Sequence, residues 1–184
     1  MTTKRMLSAV FAIAEDMTIG DKGGIPWFSP ADMSSFRDRT VGHIVVMGRK
    51  TWDSLPKKPL DDRHNLVLTR AEGEFNPDPR CAWILDPEML QRSLSVLDPN
   101  EELIPYVIGG GEILNVFWND IAYVYVTRIK GSPDGDTKFD LLTRLQDPSW
   151  YHEHSHASDD PAVMSVEWYW RTAAWMTAWT RRNG

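Results

Sequence analysis

Cysteine is almost absent from this chain: Cys81 stands alone, so no disulfide can form within it. A lone thiol suits a reducing compartment, and the expected location is cytoplasmic. An excess of positive charge is also lacking. Lys and Arg number 20 against 26 Asp and Glu, a net charge of -6, which argues against a non-specific nucleic-acid binder that needs a basic face. A local basic cluster can still focus field on an anionic small ligand. Long apolar runs are missing too. No stretch approaches the roughly 20 residues that span a bilayer, so no membrane partner is expected. Lys4 and Arg5 do precede an apolar run, but Ser8 interrupts it and Glu15-Asp16 end it without a small-residue cleavage site. That segment reads as a buried first strand rather than a signal peptide.

What remains is ordinary for a soluble domain: 184 residues, 42% hydrophobic and 25% charged, enough for one sizeable core. A single domain over 1–184, monomeric, is the expectation. Leu7 to Ala14 (LSAVFAIA) is a continuous apolar run, as in a strand buried on both faces. Asp21 to Trp27 is a glycine-rich loop. Ser29-Pro30-Ala31-Asp32 then starts a helix through about Arg39, with Ser as cap, Pro at the first position and an acid three residues on. Strands are expected at His43 to Gly48, Asn65 to Thr69, Ala82 to Leu85, Pro105 to Ile108 and Ile121 to Arg128. Between them, helices are expected at Arg49 to Leu55, Pro87 to Leu94 after Asp86 as cap, and Glu112 to Trp118. Strands alternating with helices imply βαβ units. Beyond Asp120 strand-like runs follow one another, which suggests antiparallel pairing; Gly131 to Asp136 reads as a loop. In the tail Trp168 and Trp170 share a strand face, and Trp175 and Trp179 share a face at either strand or helix spacing. Two strands fit, or one strand broken near Arg171 to Ala174.

Asp32 is the first candidate for chemistry. It follows the apolar turn Ile25-Pro26-Trp27, and Met33 and Phe36 can face the same cleft. A carboxylate among such groups has its charged form disfavoured, so it can hold or relay a proton near neutral pH. It can equally be no more than the partner of Ser29 in a capping box. Gly109-Gly110-Gly111 lets the backbone approach a ligand and offers helix N–H groups to a phosphate, or is simply a tight turn without the GxGxxG spacing. Gly48-Arg49-Lys50-Thr51 places two cations and a hydroxyl at another strand-to-helix turn, and Arg70, just past Thr69, can join them around a phosphate. Lys57, Lys58 and Arg63 form a second basic group. His152, His154 and His156 alternate, so on a strand they share one face; the spacing suits zinc or nickel, or only an exposed edge. No Cys or carboxylate pattern joins them, and no metal site is expected. His43 and His64 read as structural.

In order and spacing, Ile19-Gly20, Ile25-Pro26-Trp27, Pro30-Ala31-Asp32-Met33, Phe36, Val46 to Trp52 (VMGRKTW), Ile108 to Gly111 and Gly135 to Phe139 (GDTKF) resemble the dihydrofolate reductase family, from about Met6 to Thr143. The resemblance implies an α/β fold: a mainly parallel central sheet of about eight strands, flanking helices and an antiparallel C-terminal part. It implies reduction of 7,8-dihydrofolate to 5,6,7,8-tetrahydrofolate by hydride transfer from NADPH, supplying one-carbon metabolism. Asp32 then resembles the acid that promotes protonation of the pterin, Thr127 its hydroxyl partner, and Trp27 the residue that helps hold an ordered water. Val10, Phe11, Ala12, Met33, Phe36, Leu55, Leu60 and Ile108 are implied to line the pterin and benzoyl regions, and Arg63 to pair with the substrate's glutamate carboxylate.

For the cofactor, the resemblance implies Arg49, Thr51 and Arg70 at the adenosine half, both arginines near the 2′-phosphate, which favours NADPH over NADH. Ala12, Ile19 and Gly20 are implied beside the nicotinamide and Gly109 to Gly111 at the pyrophosphate, with Gly48, Lys50, Thr69, Glu112 and Ile113 completing the set. The Gly109-Gly110 bond is expected to be cis, and Glu15 to Trp27 to be a mobile loop that Asp136 holds closed. Four positions depart from the family's pattern. Asp61-Asp62 replace a frequent Pro-Gly and add negative charge beside Arg63, Leu114 replaces a frequent Tyr, and Ser29 replaces a frequent Leu, leaving a hydroxyl near the substrate rim. Competing readings are a reductase of the pyrimidines of riboflavin synthesis, a non-catalytic folate or nucleotide-binding module, and metal binding through the three histidines. Asp32 in its Pro-Ala-Asp context and Arg63 favour folate.

Overall fold

The computed structural model describes residues 4–70 and 78–172. In chain order the elements are β1 (Leu7–Ala14), β2 (Thr18–Gly20), α1 (Pro30–Thr40), β3 (Ile44–Gly48), α2 (Arg49–Ser54), β4 (His64–Leu68), β5 (Cys81–Ile84) and α3 (Met89–Leu97). Then come β6 (Pro105–Gly109), α4 (Gly111–Phe117), a 3₁₀ turn at Trp118–Asp120, β7 (Ile121–Ile129), β8 (Thr137–Lys138), α5 (Leu141–Leu145), β9 (Trp150–His156) and β10 (Val163–Arg171). Eight strands form one sheet in the order β5-β4-β3-β6-β1-β7-β10-β9. Neighbours from β5 to β7 are parallel, and β10 runs antiparallel to both β7 and β9. The expected mainly parallel sheet with an antiparallel C-terminal part is therefore present.

β1 shows why its sequence is apolar throughout. It lies between β6 and β7, and alternate side chains enter different cores. Leu7, Ala9, Phe11 and Ile13 face α3 and α4, where Leu90, Leu94, Leu114 and Phe117 pack on them. Ala12 and Ala14 face the other way, with Val166 and Trp27; farther along that face Val45, Met47 and Val67 lie under Trp52 of α2. Leu7 and Leu94 are wholly buried, and truncating either to Ala costs about 2–5 kcal/mol. β3 leads away to β4, whereas the chain leaving β6 returns across β1 to β7. That reversal opens a crevice beyond the carboxyl ends of β3 and β6, where ligands of open α/β sheets bind.

Two expectations need correction. The helix expected from Pro87 begins at Met89, because Asp86 and Pro87 first form a turn whose carbonyls accept from the Met89 and Leu90 N–H groups. The three histidines do not share a face. His154 pairs with Trp168 but His152 pairs with Tyr169, so Glu153 is a bulge that turns His152 over; accordingly His154 stacks on Trp168 at 4.9 Å and His152 on Tyr169 at 4.8 Å. No cluster of metal-ligating side chains occurs among the described residues. Trp168 and Trp170 do share a face of β10, while Trp175 and Trp179, with Ala173 and Ala174 of the break expected at Arg171 to Ala174, lie outside the described residues.

Candidate active site

The site forms where α1 crosses the carboxyl half of β1 and β7. Ser29 is extended, Pro30 follows at the first helical position, and the Ser29 hydroxyl accepts from the Asp32 N–H at 3.1 Å. That is half a capping box. Instead of returning to the Ser29 backbone, the Asp32 carboxylate takes a hydrogen bond from the Thr127 hydroxyl. Thr127 is buried on β7 in register with Ala12 of β1, which puts Val10, Ala12 and Thr127 beneath Asp32. Burial pushes the Asp32 carboxyl above its usual range; the Thr127 bond offsets part of this, and the nearby Asp160 charge adds to it. The result is a half-buried acid that holds its proton at a higher pH than an exposed one.

Around it, Phe36 is half-buried and Met33 is exposed on the same helix. Leu55, Leu60 and Ile108 pack on the same side of the sheet, against the cluster of Val45, Met47 and Trp52. Phe11 is the exception. Its ring points through the other face and meets Phe139 edge-on at 5.7 Å, because neighbours on a strand alternate sides, so only its backbone borders the Asp32 face. Ser29 also differs from expectation: its hydroxyl is buried and donates to Asp160 at 2.7 Å rather than lying free at a rim. Leu114 is fully buried in the core and offers no polar contact.

Arg63 is held by residues the sequence does not advertise. Its guanidinium donates to the Thr40 hydroxyl at 2.9 Å and to the Asp61 carbonyl at 2.8 Å, and it sits 5.9 Å from the Phe36 ring centre. The buried Asn65 side chain bonds Leu60 N–H, Leu60 C=O and Arg63 C=O, fixing the loop between α2 and β4. The Asp61 carboxylate is engaged by Lys57 and Arg80 instead. Arg63 thus keeps donors for an anion, and burial together with neighbouring Arg37 lowers its proton affinity, which a bound carboxylate would relieve.

A second cluster lies at the adjacent strand ends. Gly48, Arg49, Lys50 and Thr51 follow β3; Thr69 and Arg70 follow β4; Gly109, Gly110 and Gly111 follow β6. The Gly109–Gly110 bond is cis and Gly109 has φ +121°. A Cβ on Gly48 would stand 2.8 Å from Ile113 Cγ1, so this turn packs closely on α4 only as glycine, whereas one on Gly110 would meet the Thr51 hydroxyl at an ordinary 3.5 Å. Arg49 bonds Asp53 through Nε alone and lies 5.2 Å from the Trp83 ring centre, leaving its terminal nitrogens without partners among the described residues. Arg70 faces Glu112 at 3.5 Å, an exposed pair of little strength.

The loop from Glu15 to Trp27 passes beside both clusters. β2 pairs with β8, Lys22 N–H donates to the Asp136 carboxylate at 3.1 Å, and Lys138 meets Asp16 at 2.8 Å. A Cβ on Gly135 would stand 2.7 Å from the Gly20 carbonyl oxygen, so that contact needs glycine. Ile19 Cδ1 lies 3.4 Å from where a Gly111 Cβ would be, which brings the loop to the glycine turn. Sequence reasoning missed Thr40, Asn65 and above all Asp160, whose contact partner Ser29 is 131 positions away.

Known proteins match this architecture. The family model "Dihydrofolate reductase" matches residues 6–170. Dihydrofolate reductase HdrB of Haloferax volcanii is 30% identical over 133 residues, covering 71% of this chain and 68% of that protein. The dihydrofolate reductase of Mycobacterium tuberculosis is 36% identical over 129 residues, covering 67% of this chain and 68% of its own length. Among solved structures, dihydrofolate reductase from Enterococcus faecalis complexed with NADP(H) and RAB-propyl superposes with a TM-score of 0.73 at 25% identity, covering 92% of this chain and 98% of that one.

Proposed function

The chain belongs to the dihydrofolate reductase family, and from that premise we propose that it reduces 7,8-dihydrofolate to 5,6,7,8-tetrahydrofolate, with Asp32 as its acid and NADPH as its reductant. The observation that carries this reading is the half-buried Asp32 carboxyl, lifted above its usual range and bonded to Thr127, on the helix beside the glycine turn. The cofactor supplies the hydride when bound. The terminal nitrogens of Arg49, without partners among the described residues, fit its phosphates with Lys50 and Arg70, and Gly109 to Gly111 fit a pyrophosphate that must approach the backbone.

The chain's own residues do the rest. Asp32 bonds the pterin ring and favours the protonated form of the nitrogen next to the accepting carbon. Thr127 keeps the carboxyl in one orientation. Trp27 has a buried indole N–H without an acceptor among the described residues, a donor suited to an ordered water at the ring. Val10, Ala12, Phe36, Leu55 and Ile108 keep bulk water from the reacting face, and Arg63 pairs with the glutamate carboxylate. The loop from Glu15 to Trp27, tied to Asp136, covers the nicotinamide side.

The test is loss of NADPH absorbance with dihydrofolate, run beside NADH. Activity that prefers NADPH is expected, and Arg49→Ala should raise KM for NADPH by roughly tenfold while leaving that for NADH nearly unchanged. Dihydrofolate binding without turnover at any pH would overturn the reading.

A further inference from the structure

The connection between β9 and β10 reaches over to the helix that carries the acid. One Asp160 carboxylate oxygen accepts from the Ser29 hydroxyl at 2.7 Å and from the Ala31 N–H at 3.3 Å. The other accepts from Ala162 N–H at 2.9 Å, and Asp160 N–H donates to the Ser158 hydroxyl at 3.2 Å, so the carboxylate is fixed from its own loop as well. Ser29 and Ala31 flank the first helical position, and Asp32 is the next residue. We propose that Asp160 is a positioning residue, which clamps the first turn of α1 so that the Asp32 carboxyl stays on Thr127, and which places a fixed negative charge beside that carboxyl. This rests on the reading of Asp32 as the acid.

The surroundings leave Asp160 as the charge that matters there. β1 offers Val10 and Ala12, β7 offers the Thr127 hydroxyl, and no cation among the described residues bears on Asp32. Lys130 bears on Asp160 itself. A second anion nearby disfavours ionised Asp32, and the direction of its shift agrees.

The experiment is the pH profile of pre-steady-state hydride transfer. Asp160→Asn keeps an acceptor for Ser29 and Ala31 but removes the charge. Its profile should move to lower pH, with the rate above the shoulder falling roughly two- to fivefold and the low-pH plateau nearly kept. Asp160→Glu, which restores the charge, should move the profile back. Ser29→Ala keeps the charge and removes the hydroxyl bridge; it should lower the plateau by roughly twofold and leave the shoulder in place. If Asp160→Asn does not fold, raising the salt concentration on the unsubstituted enzyme should itself move the shoulder to lower pH. An Asp160→Asn profile that superimposes on the parent, or a shoulder unmoved by salt, overturns the proposal. Asp32→Asn separates the two readings: if it retains hydride transfer, the acid assignment fails, whereas an inactive Asp32→Asn beside an unshifted Asp160→Asn removes only the role of Asp160.

Discussion

Asp98 and Asp32 are both carboxylates drawn away from water, yet they end on opposite sides of the usual range. Asp98 caps the end of α3 and lies against Arg5. Burial pushes its carboxyl up, but Leu103 N–H, Arg5 and Glu102 N–H all hold the charged form, and the net effect is downward. Arg5 meets it at 2.6 Å with both side chains nearly buried. Among the described residues Asp32 has one hydroxyl and no cation, and burial wins. Donors outweigh desolvation at Asp98 and desolvation outweighs the single hydroxyl at Asp32, which decides the form each keeps. A full set of donors marks a structural joint; a shortage marks a group that can exchange a proton.

Removing each carboxylate should separate these roles. Asp32→Asn keeps the side-chain shape and takes away the acid, so hydride transfer should fall by about 10²–10⁴-fold in stopped-flow measurements while dihydrofolate still binds. A loss below tenfold would place Asp32 outside the chemistry. Asp98→Ala leaves Arg5 buried without its partner and should cost about 3 kcal/mol in urea denaturation, with hydride transfer at low temperature within twofold of the parent. A slowed hydride step with unchanged stability would reverse the comparison.

The two regions also differ in how far the sequence reveals them. Asp32 lies within a contiguous run, Pro-Ala-Asp-Met after Ile-Pro-Trp, and the glycine triplet and the Arg49 turn are likewise local, so their pattern is visible along the chain. The sheet was legible for the same reason: LSAVFAIA needs two cores, and β1 has them. Contacts made across the chain were not. Nothing near Asp160 points to Ser29, and nothing near Asn65 shows that it braces Arg63. Register was opaque as well. The alternating histidines look like one face until the bulge at Glu153 divides them, a change set by pairing with β10 rather than by residue type. Phe11 shows the same limit, since its place in the resemblance says nothing about which face its ring takes.

The smallest effect is the sharpest test of the comparison, because its sign differs between the two acids. Folding raises the Asp32 value, so its contribution is most favourable below the usual carboxylate value of 3.8 and is lost as pH rises through the folded value. At neutral pH the native protein therefore carries the cost of an ionised, under-solvated group that Asn lacks. Asp32→Asn should melt higher than the parent at neutral pH, by roughly 1–3 °C, and the gain should vanish on acidification. Folding lowers the Asp98 value, so its contribution is present above 3.8 and is lost as pH falls through the folded value. Asp98→Asn should melt lower than the parent at neutral pH, and that deficit should shrink in acid. Melting curves of both variants against pH would show one difference positive and the other negative, closing toward zero from opposite sides. Two differences of the same sign would mean that donor count does not distinguish these sites, and that Asp32 is a structural acid like Asp98.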